Sequence, residues 1–428
     1  MPGRTTHGAR ARRIYWLDPH RAGPFADWPP LLERVQQLGF DAVLLPPPFA
    51  ADEDDATLVH DHARGPRWLD DADASHAIER VAHACRAAGL APFFDLPLDR
   101  VAIGGALHRE QPDWFVATAA HDAEPPDPRR GGPVRGTATL RWHVPAVAEA
   151  AVAWLHPRLA DWVAAGIAGF RCLAPHRVPA SAWRELSAAM RRQSPRVQLL
   201  AWTPGLTAEE VAALRGCGFD ATFLSLPWWN FRDAWLVEEH ARLAAVAPPI
   251  APVVAPTSTA ASPADADVSR TRALRALWSA AALGNGVLVP QGFECAHDGS
   301  ADPVRCREVK AANVLAGSLA KAPCRLRAAT GPDAPLTAIA RESVGATRLV
   351  LLNPSDDAIG AVDASHVLAH VAAASARFVA VHPRRADVLT PAASVVLEPG
   401  AVHVHEAEAL APVRVEAPAV ASAVQAPR

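Results

Sequence analysis

The segment Ile167–His176 reads IAGFRCLAPH, which is typical of a short buried strand that ends at a turn. An apolar run leads into Gly-Phe-Arg, as in strands that are covered on both faces of a parallel sheet. Pro175 and His176 follow where such a strand would open onto the top face of a barrel. Side chains at that end of the strands form the functional site in barrels of parallel strands. We therefore expect functional residues from Arg171 onward.

Short apolar strands alternate with amphipathic helices eight times between residues 13 and 321, which predicts a (β/α)8 TIM barrel. The predicted strands are Arg13–Leu17, Asp41–Leu45, Ala91–Leu98, Ile167–Leu173, Val197–Trp202, Ala221–Leu226, Ile250–Ala255 and Val287–Val289. The predicted helices are Trp28–Leu38, Ser75–Ala88, Ala146–Ala165, Ala180–Arg192, one capped by Thr207, Ala234–Val246, Ser269–Leu283 and Pro303–Ala320.

Three further regions interrupt or follow the barrel. Residues 100–145 contain a long Pro- and Gly-rich connection after the third strand, which predicts an inserted small domain. Short alternating strands between 322 and 410 predict a compact antiparallel β-domain. Residues 411–428 are rich in Ala, Pro and Val, and we expect a disordered tail there.

Composition limits the classes of partner. The chain has 428 residues, 50% of them hydrophobic, and a formal net charge of −3, which gives no electrostatic reason to expect nucleic acid or an anionic membrane. No apolar run approaches the roughly 20 residues that span a bilayer. The basic first residues lack the apolar core of a secretory signal. Six scattered cysteines form no CxxC pair, so we expect a cytoplasmic protein with reduced thiols and no cofactor.

The strand ends resemble those of the α-amylase superfamily, glycoside hydrolase family 13. GFRCL at 169–173 resembles its Gly-Phe-Arg-x-Asp, and FDLPLDR at 94–100 resembles its Asp-x-x-x-Asn-His, with Asp95 matched and Asp99 and Arg100 in place of Asn and His. QPDWF at 111–115 and Pro175–His176 are closer to the branch of maltose-1-phosphate-dependent α-1,4-glucan maltosyltransferases. The resemblance implies a TIM barrel with a domain-B-like insertion after strand 3 and a C-terminal β-domain. It also implies α-1,4-glucan or malto-oligosaccharide as ligand and a role in bacterial glycogen-like metabolism.

The family's three catalytic carboxylates are replaced here. The position of the nucleophile holds Leu173, that of the general acid holds Trp202, and the third aligns with Thr257 or Ser258. An apolar side chain can neither attack a substrate nor donate a proton to it. We therefore predict a catalytically degenerate protein that binds glucan or supports an active maltosyltransferase.

Two alternatives stay open. The first is an active α-glucan hydrolase or glycosyltransferase that uses non-standard carboxylates, Asp95, Asp99 and Glu294, while Asp18 also lies near a strand end. The second is a structural partner without affinity for sugar. If the protein is not catalytic, we expect Asp95 and Arg171 to form a buried ion pair that stabilises the barrel and takes no part in a reaction.

The residues of the residual site fall into two groups. Those retained from the catalytic strand ends are Asp95, Arg171 and Glu294. Those expected to contact a sugar are Asp99, Arg100, His176, Trp202, Trp228 and Trp229. Trp228 and Trp229 either stack on glucose rings or pack as part of a lid.

Several other polar and aromatic residues have simpler interpretations. Trp68, Trp114 and Trp142 are expected to pack in the core or in the insertion. The acidic run Asp52–Asp55 resembles a calcium site weakly, and His60–His62 could ligate a metal, but an exposed loop is the preferred interpretation of both. We therefore predict no metal site.

Overall fold

A closed barrel of eight parallel strands forms the centre of the molecule in the computed structural model. The structure describes residues 12–117, 127–130, 136–255, 263–296, 299–320, 322–371, 377–384 and 388–408. The barrel strands are β1 (Arg13–Trp16), β2 (Ala42–Leu45), β3 (Ala91–Pro97), β4 (Gly169–Leu173), β5 (Gln198–Ala201), β6 (Ala221–Phe223), β7 (Pro249–Pro252) and β8 (Val287–Pro290). Each strand pairs with its neighbours in sequence, and β8 pairs with β1 to close the barrel, so the predicted TIM barrel is confirmed.

Eight helices follow the barrel strands in turn. They are α1 (Trp28–Gln37), α2 (Ala74–Ala87), α3 (Pro145–Ala165), α4 (Ala180–Gln193), α5 (Ala208–Ala213), α6 (Trp235–Ala244), α7 (Pro263–Leu283) and α8 (Pro303–Leu319). Helix α5 begins with the predicted cap: the Thr207 side chain accepts from the Glu210 backbone N–H, and the Glu210 side chain accepts from the Thr207 N–H. This reciprocal capping box satisfies two N–H groups that the helix itself cannot pair.

Side chains alternate between the two faces of the barrel wall, because successive residues of a strand point to opposite sides. The residues that fill the barrel interior form one cluster: Ile14, Ala42, Leu44, Phe93, Leu200, Ala221, Phe223, Ile250 and Leu288. Their neighbours along the strands, such as Tyr15, Phe94 and Leu199, belong to the larger core between the wall and the helices. The alternation therefore decides which strand-end residues face the mouth.

Smaller antiparallel sheets lie outside the barrel. In the connection between β3 and α3, Arg100–Ala102, Thr137–Leu140 and Phe115–Ala117 form an antiparallel sheet of three strands. The C-terminal domain contains β9 (Cys324–Ala328), β10 (Thr337–Ser343), β11 (Ala346–Leu352), β12 (Gly360–Asp363), β13 (Phe378–His382), β14 (Val388–Leu389), β15 (Ser394–Leu397) and β16 (Val402–Ala407). Six of these strands form one antiparallel sheet, in the order β9-β10-β11-β16-β13-β14, and β12 pairs with β15, which confirms the predicted antiparallel domain.

Some predictions fall outside the residues that the structure describes. They are the tail 411–428 and the strand-7 positions Thr257 and Ser258. Within the described ranges, the helices are all too short or too polar to cross a membrane.

Candidate functional site

Four side chains stand on the inner side of the wall where the strands reach the C-terminal face of the barrel. Each follows an inward-facing position by two residues: Trp16 after Ile14, Asp95 after Phe93, Arg171 after Gly169, and Trp202 after Leu200. Three of them end or nearly end a strand, and Trp202 comes directly after β5. The strand periodicity thus gathers them at the barrel mouth.

Asp95 and Arg171 form an ion pair with two parallel hydrogen bonds. They lie directly opposite each other on the paired strands β3 and β4. Arg171 Nε donates to Asp95 Oδ1 at 2.6 Å, and Arg171 Nη2 donates to Oδ2 at 2.8 Å. The two side chains are only 4% and 12% exposed. The prediction of a buried ion pair is confirmed, and both oxygens of the Asp95 carboxylate are engaged by the arginine.

The Arg171 guanidinium also lies near two indole rings. Its central carbon is 4.9 Å from the Trp202 ring centre and 5.9 Å from that of Trp16. Trp202 packs on Phe223 as well, at 5.0 Å between ring centres. Aromatic faces attract cations at such distances, so Trp202, at the general-acid position implied by the resemblance, stabilises the arginine. Trp16 remains 39% exposed and offers an open ring surface at the mouth.

Leu173 ends strand β4 at the position that the resemblance assigns to the nucleophile. It points inward like Arg171, two residues earlier, and it is half-buried. Ala174 then takes a left-handed backbone conformation, with φ of +42°, and turns the chain into the short 3-10 helix Pro175–Arg177. No atom of Leu173 can attack or protonate a substrate.

Asp99 is a buried carboxylate that pairs with two arginines beside the mouth. Its side chain is fully buried, and its Oδ2 lies 3.1 Å from Arg177 Nη1 and 3.5 Å from Arg100 Nη1. Arg100 Nη2 donates to Thr57 Oγ1 at 3.0 Å. The structure therefore places Asp99 and Arg100 between the loops after β2, β3 and β4, where they join these loops to each other.

His176 lies on the rim between the loops after β4 and β5. Its Nε2 is 3.9 Å from Glu210 Oε1. Burial lowers the pKa of His176 below its usual value, and the Glu210 carboxylate opposes that shift. The sequence predicted His176 as a site residue but not Glu210. The position of Glu210 in the first turn of α5 indicates only a role in capping that helix.

Glu294, predicted as part of the residual site, lies apart from Asp95 and Arg171, on the outer side of the barrel wall. Tyr15 Oη donates to Glu294 Oε1 at 2.6 Å, Arg34 Nη2 is 3.7 Å from the same oxygen, and the residue is 1% exposed. Tyr15 belongs to the core outside the barrel wall. Strand β8 ends at Pro290, so a turn lies between it and Glu294, and strand alternation no longer determines the direction of the side chain.

The two adjacent tryptophans after β6 have different environments. Trp229 is 4% exposed, and its Nε1 donates to the Asp233 carbonyl at 2.8 Å, so it packs within its own loop. Of the two interpretations left open for Trp229, a sugar contact or packing as part of a lid, this placement favours packing. Trp228 is 40% exposed and retains a free ring surface on the C-terminal face.

The remaining predictions concern packing and metal binding. Trp142 is buried, and Trp68 stacks on Trp28 at 5.5 Å between ring centres, as expected for core residues. His62 is not in an exposed loop as predicted: it packs against the rings of Phe49, Trp154 and Trp162. Among the described residues, no three His, Cys, Asp or Glu side chains are grouped as metal ligands.

Trp16 is the mouth residue that sequence reasoning missed. A signal was present, because it follows the apolar residue Ile14 by two positions at the end of the first strand. The contact with Arg171 could not be read from the sequence, since 155 positions separate the two residues in the printed chain.

Comparisons with known proteins agree with this architecture. The chain is 35% identical over 364 residues to the α-1,4-glucan:maltose-1-phosphate maltosyltransferase of Burkholderia pseudomallei strain K96243. The match covers 78% of this chain and 32% of that protein, so the chain spans about a third of the length of its relative. No protein-family profile matches the chain.

Solved structures share the fold at low sequence identity. An Anoxybacillus α-amylase has a TM-score of 0.65 at 14% identity, with 92% of this chain and 97% of that one covered. An α-glucosyl transfer enzyme has a TM-score of 0.66 at 14% identity, with 93% and 99% covered. Together, the sequence match and the barrel fold place this chain in the α-amylase superfamily, as a homologue of the maltosyltransferases.

Proposed function

We propose that this chain is a cytoplasmic, maltosyltransferase-like barrel that binds α-1,4-glucan at its mouth without the retaining reaction of its superfamily. The observation that carries the proposal is the ion pair in which both Asp95 oxygens accept hydrogen bonds from Arg171. A retaining glycosidase needs two carboxyl groups about 5–5.5 Å apart, one as nucleophile and one as acid and base. Leu173 and Trp202 supply neither group.

The alternative of an active enzyme with relocated carboxylates loses support from two placements. Glu294 is bonded to Tyr15 on the outer side of the wall, and Asp99 is fully buried between Arg100 and Arg177. Neither carboxylate is available to act with Asp95 across a bound sugar.

Two features support glucan binding. The exposed rings of Trp16 and Trp228 lie on the C-terminal face, and the apolar C–H faces of glucose can stack on indole rings. The name of the Burkholderia relative specifies an α-1,4-glucan as one of its substrates. An accessory barrel of this kind would hold a glucan for an active maltosyltransferase partner.

Calorimetric titration with maltoheptaose, followed by chromatography of the sugar from the same sample, tests the proposal. We expect binding with unchanged maltoheptaose. Trp16→Ala and Trp228→Ala should each weaken binding about tenfold, equivalent to about 1.4 kcal/mol. Val344→Ala is the control, because Val344 is 96% exposed in the C-terminal domain.

The other outcomes select the alternatives. New shorter or longer oligosaccharides would contradict the degenerate site and favour an active glycosyl hydrolase or transferase, whose turnover Asp95→Asn should then abolish. An absence of binding heat, with no new products, would favour a structural partner without affinity for sugar.

A further inference from the structure

The loop that carries Trp228 also contacts the C-terminal domain. Trp228 ends a short 3-10 helix after β6, and the next residues of the loop reach the start of β10. The Thr337 hydroxyl donates to the Phe231 carbonyl at 2.7 Å, and Arg232 Nη1 donates to the Ala334 carbonyl at 3.1 Å. These partners are 106 and 102 positions apart in the chain, so both contacts depend on the packing of the C-terminal domain against the barrel.

Phe231 has a strained backbone conformation. Its φ is +62°, in the left-handed region that bulky residues rarely adopt. Such a conformation persists only where surrounding contacts hold it. Within the loop, Asn230 Oδ1 accepts from the backbone N–H groups of Arg232 and Asp233 at 3.0 Å each. The Thr337 hydroxyl holds the Phe231 carbonyl from outside the loop, so loss of this hydrogen bond favours relaxation of Phe231.

The Phe231 ring packs between the loop and helix α7. Its centre is 5.1 Å from the ring centre of Trp229 and 4.5 Å from the guanidinium carbon of Arg275. Arg275 is 6% exposed, and its Nη1 donates to the Pro354 carbonyl at 2.9 Å. The ring is therefore supported by a buried cation that also binds the C-terminal domain.

Trp229 connects Phe231 to Trp228. The Trp229 backbone N–H donates to the Leu226 carbonyl at 3.0 Å, and that of Trp228 donates to the Ser225 carbonyl at 3.1 Å. A single 3-10 turn has few hydrogen bonds of its own and depends on tertiary packing. The direction of the exposed Trp228 ring therefore depends on the packing of Trp229 against Phe231.

We infer that the C-terminal domain positions the Trp228 ring for a glucan, with Thr337 as a positioning residue that acts through Phe231. The inference rests on the proposed function for the identity of the ligand. Thr337 is only 6% exposed, so it affects the sugar through the loop and not by direct contact. Affinity for a glucan at the barrel mouth then depends on a hydrogen bond in another domain.

Two substitutions of Thr337 separate the hydroxyl from the rest of the side chain. Thr337→Val removes the hydroxyl and keeps the shape, whereas Thr337→Ser keeps the hydroxyl and should rescue the loop. Thr347→Val is the matched control, because it makes the same change in the same sheet. Thr347 lies at the opposite end of the β10–β11 hairpin, paired with Glu342.

Hydrogen exchange with mass spectrometry measures the opening of residues 226–233 without any ligand. Loss of one hydrogen bond shifts an opening equilibrium by roughly two- to tenfold, and we expect exchange of this segment to accelerate by that factor in Thr337→Val. Thr337→Ser and Thr347→Val should exchange at the parental rate. An unchanged rate in Thr337→Val, or an equal acceleration in the barrel strands, would overturn the anchoring of the loop.

Calorimetric titration with maltoheptaose tests the positioning of Trp228. Thr337→Val should weaken binding by about two- to fivefold. In Thr337→Val/Trp228→Ala the loss should equal that of Trp228→Ala alone, because no ring remains for Thr337 to position. Additive losses, or an unchanged affinity of Thr337→Val despite faster exchange, would overturn the positioning role.

The two measurements distinguish failure of the positioning role from failure of the proposed function. If maltoheptaose binds neither the parent nor the variants, the proposed function fails, and with it the positioning of Trp228 for a glucan. If the parent binds and the losses are additive, the proposed function stands and the positioning role fails. In either case the exchange rates decide whether the C-terminal domain holds the loop.

Discussion

At the scale of single residues, Arg171 determines the chemistry of the barrel mouth. It donates hydrogen bonds to both oxygens of Asp95 and contacts the rings of Trp16 and Trp202. A carboxylate that is fully engaged in this way is a poor nucleophile, and an indole ring cannot replace a general acid. Trp202, at the general-acid position implied by the resemblance, therefore stabilises Arg171.

Removal of one partner of this pair should cost more than removal of both. Asp95→Asn leaves a buried guanidinium without its counter-ion, and we expect the free energy of unfolding to fall by about 3–5 kcal/mol. In Asp95→Asn/Arg171→Met no charge remains unpaired, so part of the loss should be recovered. Urea denaturation of the two single variants and the double variant measures this difference. A double variant whose loss equals the sum of the single losses would show that the pair is not coupled.

At the scale of secondary structure elements, Arg341 on β10 joins the C-terminal domain to the ends of two barrel helices. Its Nη1 donates to Leu283 and Gly284 at 2.9 and 3.1 Å, where α7 ends, and its Nη2 donates to Leu319 at 3.1 Å, where α8 ends. The side chain is 1% exposed. The last carbonyls of a helix lack partners within the helix and carry partial negative charge, so one cation satisfies both ends.

Arg341→Met should therefore destabilise the protein by several times more than Arg348→Met. Loss of Arg341 leaves buried carbonyl oxygens without donors, each at about 1–3 kcal/mol. Arg348 faces Arg341 on the adjacent strand β11, but its pair with Glu406 is partly exposed and should contribute about 0.2–1 kcal/mol. Chemical denaturation compares the two variants, and equal losses would refute the role of Arg341 as a shared helix cap.

At the scale of the whole molecule, histidines lie at the contacts between its parts. His62 packs beside Trp154 and Trp162 of α3, and burial, with a smaller contribution from nearby Arg158, lowers its pKa to about 4. His240 on α6 lies 3.7 Å from Cys324 Sγ on β9, and burial lowers its pKa to about 4 as well. A charged histidine is unfavourable at either buried position. Protonation of His62 therefore destabilises its packing against α3, and protonation of His240 destabilises the packing of α6 against β9.

We expect stability to fall as the pH decreases from about 6.5 to about 4. An unfolded histidine has a pKa of about 6.5, so the unfolded chain binds more protons than the folded one in this window. Each buried histidine should then lower the free energy of unfolding by up to about 1.4 kcal/mol per pH unit. Urea midpoints at several pH values measure the slope, which His62→Gln should reduce and His143→Gln, at an exposed position, should not. The same slope in all three proteins would exclude a contribution from His62.

The regular part of the barrel could be predicted because its signals are local. An apolar run of four to seven residues specifies a strand, and apolar residues three and four positions apart specify a helix that covers it. The positions of Leu173 and Trp202 at the ends of the fourth and fifth strands likewise follow from the order of the strands in the sequence. The pairing of Asp95 with Arg171 followed from the adjacency of their strands.

Which side chains lie at the barrel mouth could be determined only from the tertiary structure. Glu294 and Trp229 lie beyond strand ends, where turns set the direction of a side chain, and both point away from the position that a continued strand would give them. The contact of Arg130 with Glu210 joins the insertion, which follows β3, to helix α5, which follows β5. The local pattern of apolar and polar residues thus determined the barrel and the residues that stand at its strand ends. Packing between distant segments decided which remaining side chains meet, because it depends on turn geometry and burial that no short window of sequence contains.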